Sequence, residues 1–88
     1  MDVLYEASFQ RDLRKIKDKK LLKKAREAIE RVKQADNLSQ VRRVKKMTGY
    51  DSLYRIRVGD YRIGIDVVEN KVIFVRFLHR RDIYRYFP

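Results

Sequence analysis

The chain has 88 residues, 44% of them hydrophobic and 40% charged, with a formal charge of +11 and no cysteine. That length holds a single domain over residues 1–88 with a modest core, and the missing cysteines exclude disulfides, thiolate nucleophiles and zinc–thiolate sites. No basic-then-apolar leader and no run of about 18 apolar residues occurs, so a soluble, cytoplasmic protein without a membrane partner is expected.

From the N-terminus, Asp2 to Ala7 carries Val3, Leu4 and Tyr5 and reads as an edge strand. Ser8 is a candidate cap, and Phe9, Leu13 and Ile16 at helical spacing predict a first helix over Phe9 to Lys17. A longer stripe of Leu21, Leu22, Ala25, Ile29 and Val32 predicts a second helix, antiparallel to the first, with Glu27 and Arg31 as a supporting i,i+4 pair. Asp36 and Asn37 end it. The stretch LSQVRRVKKMTGYD then reads as a short helical turn capped by Ser39, followed by loop. Its cations Arg42, Arg43, Lys45 and Lys46 suit a solvated connector or a binding patch equally.

From Leu53 the apolar period changes to two, giving strands around Tyr54, Ile56 and Val58 and around Tyr61, Ile63, Ile65 and Val67. Gly59-Asp60 between them is a tight hairpin turn, since glycine takes the positive φ such turns need. A third run, Val72 to Leu78, follows a turn expected at Asn70-Lys71, and Asp82 is placed to cap a last helical turn. The fold class is therefore α+β, in the order β-α-α-β-β-β. Both helices are expected on one face of a small, mostly antiparallel sheet, with the other face open to solvent.

A two-residue turn pairs Arg57 with Arg62 and Arg55 with Gly64 on that open face. Facing like charges cost about 0.2–1 kcal/mol, a sign that a bound anion reverses. Gly64 leaves a shallow depression there, a space suited to a nucleotide or the mark of a bulge. The third strand is ambiguous. An even turn puts Ile73, Val75, Phe77 and His79 on the arginine face and Phe74, Arg76 and Leu78 toward the helices, whereas an odd turn exchanges the sets.

The charge is divided by type. Nine of ten lysines precede Met47, while the remainder holds seven arginines and Lys71 alone. Lysine suits diffuse attraction and arginine a bidentate grip on phosphate, so the first half reads as a steering surface and the second as a site for nucleic acid. No Gly-rich phosphate loop, HExxH, EF-hand or Ser-His-Asp pattern occurs, and the carboxylates are scattered, so neither cofactor nor metal is expected. His79, the only histidine, and the tail tyrosines Tyr84 and Tyr86 are candidates for proton transfer or base stacking, or else packing residues. Arginines on a rigid sheet suit metal-free RNA cleavage, in which the RNA's own 2′-hydroxyl attacks the neighbouring phosphate.

The segments YRIRVGDYRIGIDV and HRRDIYR, with the helical hairpin before them, resemble the RelE/ParE superfamily of toxin–antitoxin toxins over nearly the whole chain. For RelE-like members the resemblance implies an antitoxin partner and metal-free, ribosome-dependent cleavage of mRNA. By that resemblance Arg62, Arg81 and Tyr84 are the catalytic candidates, with Arg81 placed beside Arg62 by an even turn. Tyr86 is a substitute for Tyr84. Arg55, Arg57, His79, Arg80, Lys45 and Lys46 are candidates for binding mRNA and ribosomal RNA. The alternatives are a ParE-like inhibitor that binds DNA gyrase and cuts nothing, and a relative that only binds nucleic acid.

Overall fold

A computed structural model describes residues 1–88 as a five-stranded sheet in the order β1-β5-β4-β3-β2. The strands are β1 (Asp2–Tyr5), β2 (Val44–Lys46), β3 (Leu53–Val58), β4 (Tyr61–Val68) and β5 (Lys71–His79). Three helices accompany them, α1 (Ala7–Arg14), α2 (Lys19–Gln34) and α3 (Ile83–Tyr86), with a 3-10 turn at Leu38–Gln40. The first strand runs parallel to β5 at one edge; every other pairing is antiparallel. The expected α+β architecture is present, but the connector before β3 forms a strand where loop was expected.

Local chemistry accounts for the helix boundaries. Asp18 caps α2, its carboxylate accepting from the amides of Lys20 (2.9 Å) and Leu21 (3.3 Å). One face of α2 buries Ala25, Ala28 and Val32 against the sheet. The first helix begins at Ala7, earlier than the spacing predicts, because Ser8 is not its cap. The Ser8 hydroxyl instead donates to the Val75 carbonyl at 2.6 Å. Likewise Asn37, not Ser39, caps the 3-10 turn. Asp82 precedes α3 without a side-chain cap bond.

Below Phe74, β5 loses its partner β1, and α1 takes over that edge. The Ser8 hydroxyl satisfies the Val75 carbonyl, and Asp12 accepts from the Phe77 amide at 2.9 Å. Buried backbone groups left without such partners would each cost about 1–3 kcal/mol. Asp12 also holds the Arg76 guanidinium through two bonds of 2.7 and 3.2 Å. Above this edge the main core gathers Phe9, Val32, Ile56, Ile63, Ile65, Val72, Phe74 and Phe77, with the Phe9 ring tilted against that of Phe74 at 5.4 Å.

The parity of β5 resolves in neither of the expected ways. Its turn is Glu69–Asn70, one residue earlier than expected, and Val75 is an extra residue between the Ile65–Phe74 and Gly64–Arg76 pairs. A bulge of this kind shifts alternation midway along a strand. Phe74 before it and Phe77 after it therefore both reach the helix-side core, while Val75 and Leu78 turn to the opposite face. Phe77 and His79 do not share the arginine face. His79 instead pairs with Tyr61, edge-on to its ring at 5.4 Å.

Nor is that opposite face fully open. Met47, Ile83 and Phe87 pack there on Leu53, Val75 and Leu78, folding the C-terminal tail across one half of the sheet. The Phe87 ring occupies the depression left by Gly64, with ring carbons 2.8 Å from where a Cβ would stand. The depression read as a nucleotide seat is a packing socket. What stays uncovered is the β2–β3–β4 end of the face.

Candidate nucleic-acid interface

Three short strands bring the cations together. Arg57 pairs with Arg62, Arg55 with Gly64, and Lys45 with Arg55, so Arg55, Arg57, Arg62 and Lys45 share one face. Together with Arg43 and Val44 they line a hollow of about 400 Å³ that contains no carboxylate. The molecule's two ion pairs, Arg76–Asp12 and Lys33–Glu30, both lie elsewhere. Gly59, at φ +59, closes the hairpin with the backbone that a two-residue turn starting in glycine requires.

Arg62 is the centre of this group. Its Nη1 donates to the carbonyls of Gly59 (3.0 Å) and Tyr61 (2.9 Å), which anchors one end of the guanidinium against the hairpin. Partial burial pushes its pKa below the ordinary arginine value, and the charges of Arg55, Arg57 and Arg80 push it further, opposed by Tyr84. It stays cationic, since guanidinium does not deprotonate usefully in proteins. Burial is the larger cause; the added repulsion from Arg55, Arg57 and Arg80 is the part that an anion would relieve. No set of three or more metal-ligating side chains converges in the chain; the groups at and beside the hollow are guanidinium, ammonium and phenol.

The profile of the ParE toxins of type II toxin–antitoxin systems matches residues 3–84. The chain belongs to that family. Toxin RelE3 of Methanocaldococcus jannaschii is 42% identical over 89 residues, covering all of both chains. The RelB–RelE antitoxin–toxin complex from Methanococcus jannaschii contains a similar chain at 40% identity and a TM-score of 0.80, covering 97% of this chain and 99% of that one. The YoeB dimer from Staphylococcus aureus, at 17% identity and a TM-score of 0.73 over 90% of this chain and 95% of that one, shares the fold. This chain is thus a RelE/ParE-superfamily toxin of a type II toxin–antitoxin system.

Within the toxin, the tail residues divide between two places. Tyr84, 62% exposed, lies beside the hollow with the Arg55 guanidinium 5.2 Å from its ring centre. Arg80 is the tail arginine whose charge bears on Arg62, and its amide is fastened to the Asp60 carbonyl at 2.7 Å. Arg81, expected beside Arg62, turns to His79 instead: its backbone amide and Nε donate to His79 Nδ1 at 3.2 and 3.3 Å. The bulge at Val75 places His79 opposite Tyr61, and the Arg81 side chain turns back to it. His79 lines a separate groove with Asp12, Tyr61, Asp82 and Tyr86. Lys46 pairs with Tyr54, on the face away from the hollow. Of the four connector cations that suit a solvated loop or a binding patch equally, Arg43 and Lys45 line the hollow and Arg42 and Lys46 do not.

Proposed function

We propose that this toxin is a ribosome-dependent endoribonuclease that cuts mRNA without a metal ion. The observation that carries the reading is the hollow of Arg43, Lys45, Arg55, Arg57 and Arg62, all of them free of carboxylate partners. In the reaction the ribose 2′-oxygen attacks the adjacent phosphorus and the P–O5′ bond breaks, leaving a 2′,3′-cyclic phosphate and a 5′-hydroxyl. One proton leaves the 2′-hydroxyl and one is delivered to the departing oxygen. Negative charge grows on the phosphorane, and fixed guanidiniums stabilise it without having to reorganise.

Arg62 is the proposed clamp on the scissile phosphate, and Arg55 and Arg57 hold its neighbours. The second clamp, expected at Arg81, is better supplied by Arg80, whose charge acts on Arg62, while the Arg81 guanidinium is bonded to His79. Tyr84, packed on Arg55 at the rim, is the proposed proton-transferring or base-stacking group, and it fits better than His79 or Tyr86 in their separate groove. The ribosome, through its RNA and bound message, is the proposed partner during catalysis, which places the activity in the cytoplasm. An antitoxin is the proposed partner at rest, its acidic segment covering the same hollow. The related RelE chain, solved in an antitoxin–toxin complex, supports the antitoxin as a partner.

A second reading follows from the matched family profile, that of ParE toxins: inhibition of DNA gyrase by binding alone. One experiment separates the two. Translating ribosomes on a defined message are incubated with wild type, Arg62→Ala, Arg80→Ala, Arg81→Ala and Tyr84→Phe, and the RNA ends are mapped. Codon-positioned cuts reduced about 10²–10³-fold by Arg62→Ala support the nuclease. The ranking of Arg80→Ala against Arg81→Ala identifies the second clamp. Absence of cuts together with arrested gyrase supercoiling favours the binding inhibitor.

A further inference from the structure

The arginine hollow does not end at the edge of the sheet. A second hollow of about 330 Å³ adjoins it around the hairpin tip, lined by Lys24, Glu27 and Arg31 of α2 together with Arg43, Arg57 and Gly59. Arg43 and Arg57 line both. The steps from 24 to 27 and from 27 to 31 put all three α2 residues on one helix face. Seven distinct cations therefore edge a continuous path, Lys24, Arg31, Arg43, Lys45, Arg55, Arg57 and Arg62, against the single carboxylate of Glu27. None of the seven is in an ion pair. Beyond Lys24 the character changes: the next hollow sets Lys20 and Lys24 against Asp18 and Asp60, so charge balances and the path stops.

Two details mark the junction as built. Arg43 takes a left-handed backbone, φ +64, which side-chain-bearing residues disfavour. Its carbonyl accepts from the Arg57 amide at 3.0 Å, so the residue common to both hollows is pinned to β3. Gly59 sits between Arg57 and the α2 face with open space where a Cβ would project, so a ligand can cross close to backbone.

We propose that a single RNA strand seated in the arginine hollow continues past Arg43 and Arg57 onto the outer face of α2, where Lys24 and Arg31 hold its phosphates. The proposal rests on the reading that the hollow takes RNA. It assigns α2 a role in contacting the strand that is cut, and it makes affinity depend on strand length. Charge complementarity favours a phosphate backbone over an acidic peptide, because the cations are spread along a line and Glu27 alone interrupts them.

The test uses 2′-O-methyl RNA, which cannot be cleaved through its own 2′-oxygen, in single strands of about four and about twelve nucleotides, lengths that bracket one hollow and the whole path. Binding of both is measured against salt for wild type, the double variant Lys24→Glu/Arg31→Glu, and Arg43→Gly. Arg43→Gly relieves the left-handed strain, so its folding is secure even if the charge-reversed protein folds poorly. The proposal expects the longer strand to bind wild type more tightly than the shorter one. It expects the double variant to lose about tenfold on the longer strand alone, and each removed cation to lower the salt slope by about 0.7. Equal affinity for the two lengths in wild type overturns it. So does equal weakening of both strands by the double variant, or weakening for a polyglutamate peptide but not for the longer RNA. The endonuclease reading fails separately, if Arg62→Ala leaves ribosomal cleavage intact while the length dependence persists.

Discussion

Two arginines on neighbouring strands meet opposite fates. Arg76 on β5 is gripped by Asp12, a carboxylate only 6% exposed, through two hydrogen bonds, and the same carboxylate ties down the Phe77 amide. Arg62 on β4 faces Arg57, lies under the influence of Arg55 and Arg80, and finds only carbonyl oxygens to bond. The fold can neutralise a buried-side arginine where structure requires it. It leaves the hairpin arginines unneutralised, at a cost to stability, as the proposed binding of RNA there would require.

Breaking the satisfied arginine has the largest expected consequence. Asp12→Ala strands the Arg76 charge and orphans the Phe77 amide, and a loss of about 3 kcal/mol in unfolding free energy is expected by urea titration. Asp12→Asn keeps an acceptor for the amide and should lose less. If Asp12→Ala costs no more than a surface substitution, the edge pairing of α1 with β5 contributes nothing and the contrast collapses.

The unsatisfied arginines should behave in the opposite sense, with the molecule gaining stability when a ligand fills the hollow. A short RNA oligonucleotide at 100 times its dissociation constant should raise unfolding free energy by about 2.7 kcal/mol, read as a higher melting temperature. Arg62→Ala should abolish most of that gain. A change of pH offers no such relief. The depressed Arg62 value means the folded state holds this proton less firmly than the unfolded chain does. The penalty is thus present in full at every pH below the folded value and recedes only as pH rises through it, in the alkaline range where arginine titrates.

The hairpin was legible in the sequence because a two-residue turn at Gly59-Asp60 fixes every pairing from Leu53–Asp66 to Val58–Tyr61. The α2 stripe was legible for a similar reason, its apolar spacing running over several turns. What stayed hidden depended on contacts between distant segments. The bulge at Val75 exists where α1 replaces β1 along β5, and it set which residues of β5 face the arginines. Periodicity cannot report an inserted residue whose stabilising partners, Ser8 and Asp12, lie at the other end of the chain. Gly64 suits either a ligand depression or a bulge on sequence alone; the bulge lies beside it, and no local pattern says that Phe87 folds back onto it. The two cations of β2 escaped as a strand because three residues carry too little alternation to register.

The Gly64 socket gives a third way to sharpen the comparison, since it sits between the two arginine environments. A methyl group at Gly64 would stand 2.8 Å from the Phe87 ring, so Gly64→Ala must push the tail outward. Overpacking of this kind costs about 1–3 kcal/mol. Because Ile83 and Phe87 share one small core with Leu78, the shift should also move Tyr84 and loosen its contact with Arg55. Phe87→Ala in the same background should recover part of the stability. A fully additive pair of changes would mean that the ring is not what fills the socket.

The smallest effect is the most direct measure of what the facing arginines cost. Arg57→Thr removes one of the two charges paired across the hairpin and places a β-branched residue on an exposed strand position. Relief of the like-charge pair should stabilise the free toxin by about 0.2–1 kcal/mol, measurable by chemical denaturation at low salt and shrinking as salt rises. The same substitution should weaken RNA binding, because Arg57 lines both hollows. Opposite signs in the two measurements are the expectation for a residue retained for a ligand. A loss of stability at low salt would show instead that Arg57 supports the hairpin through packing of its stem, and the pairing would then need no anion to account for it.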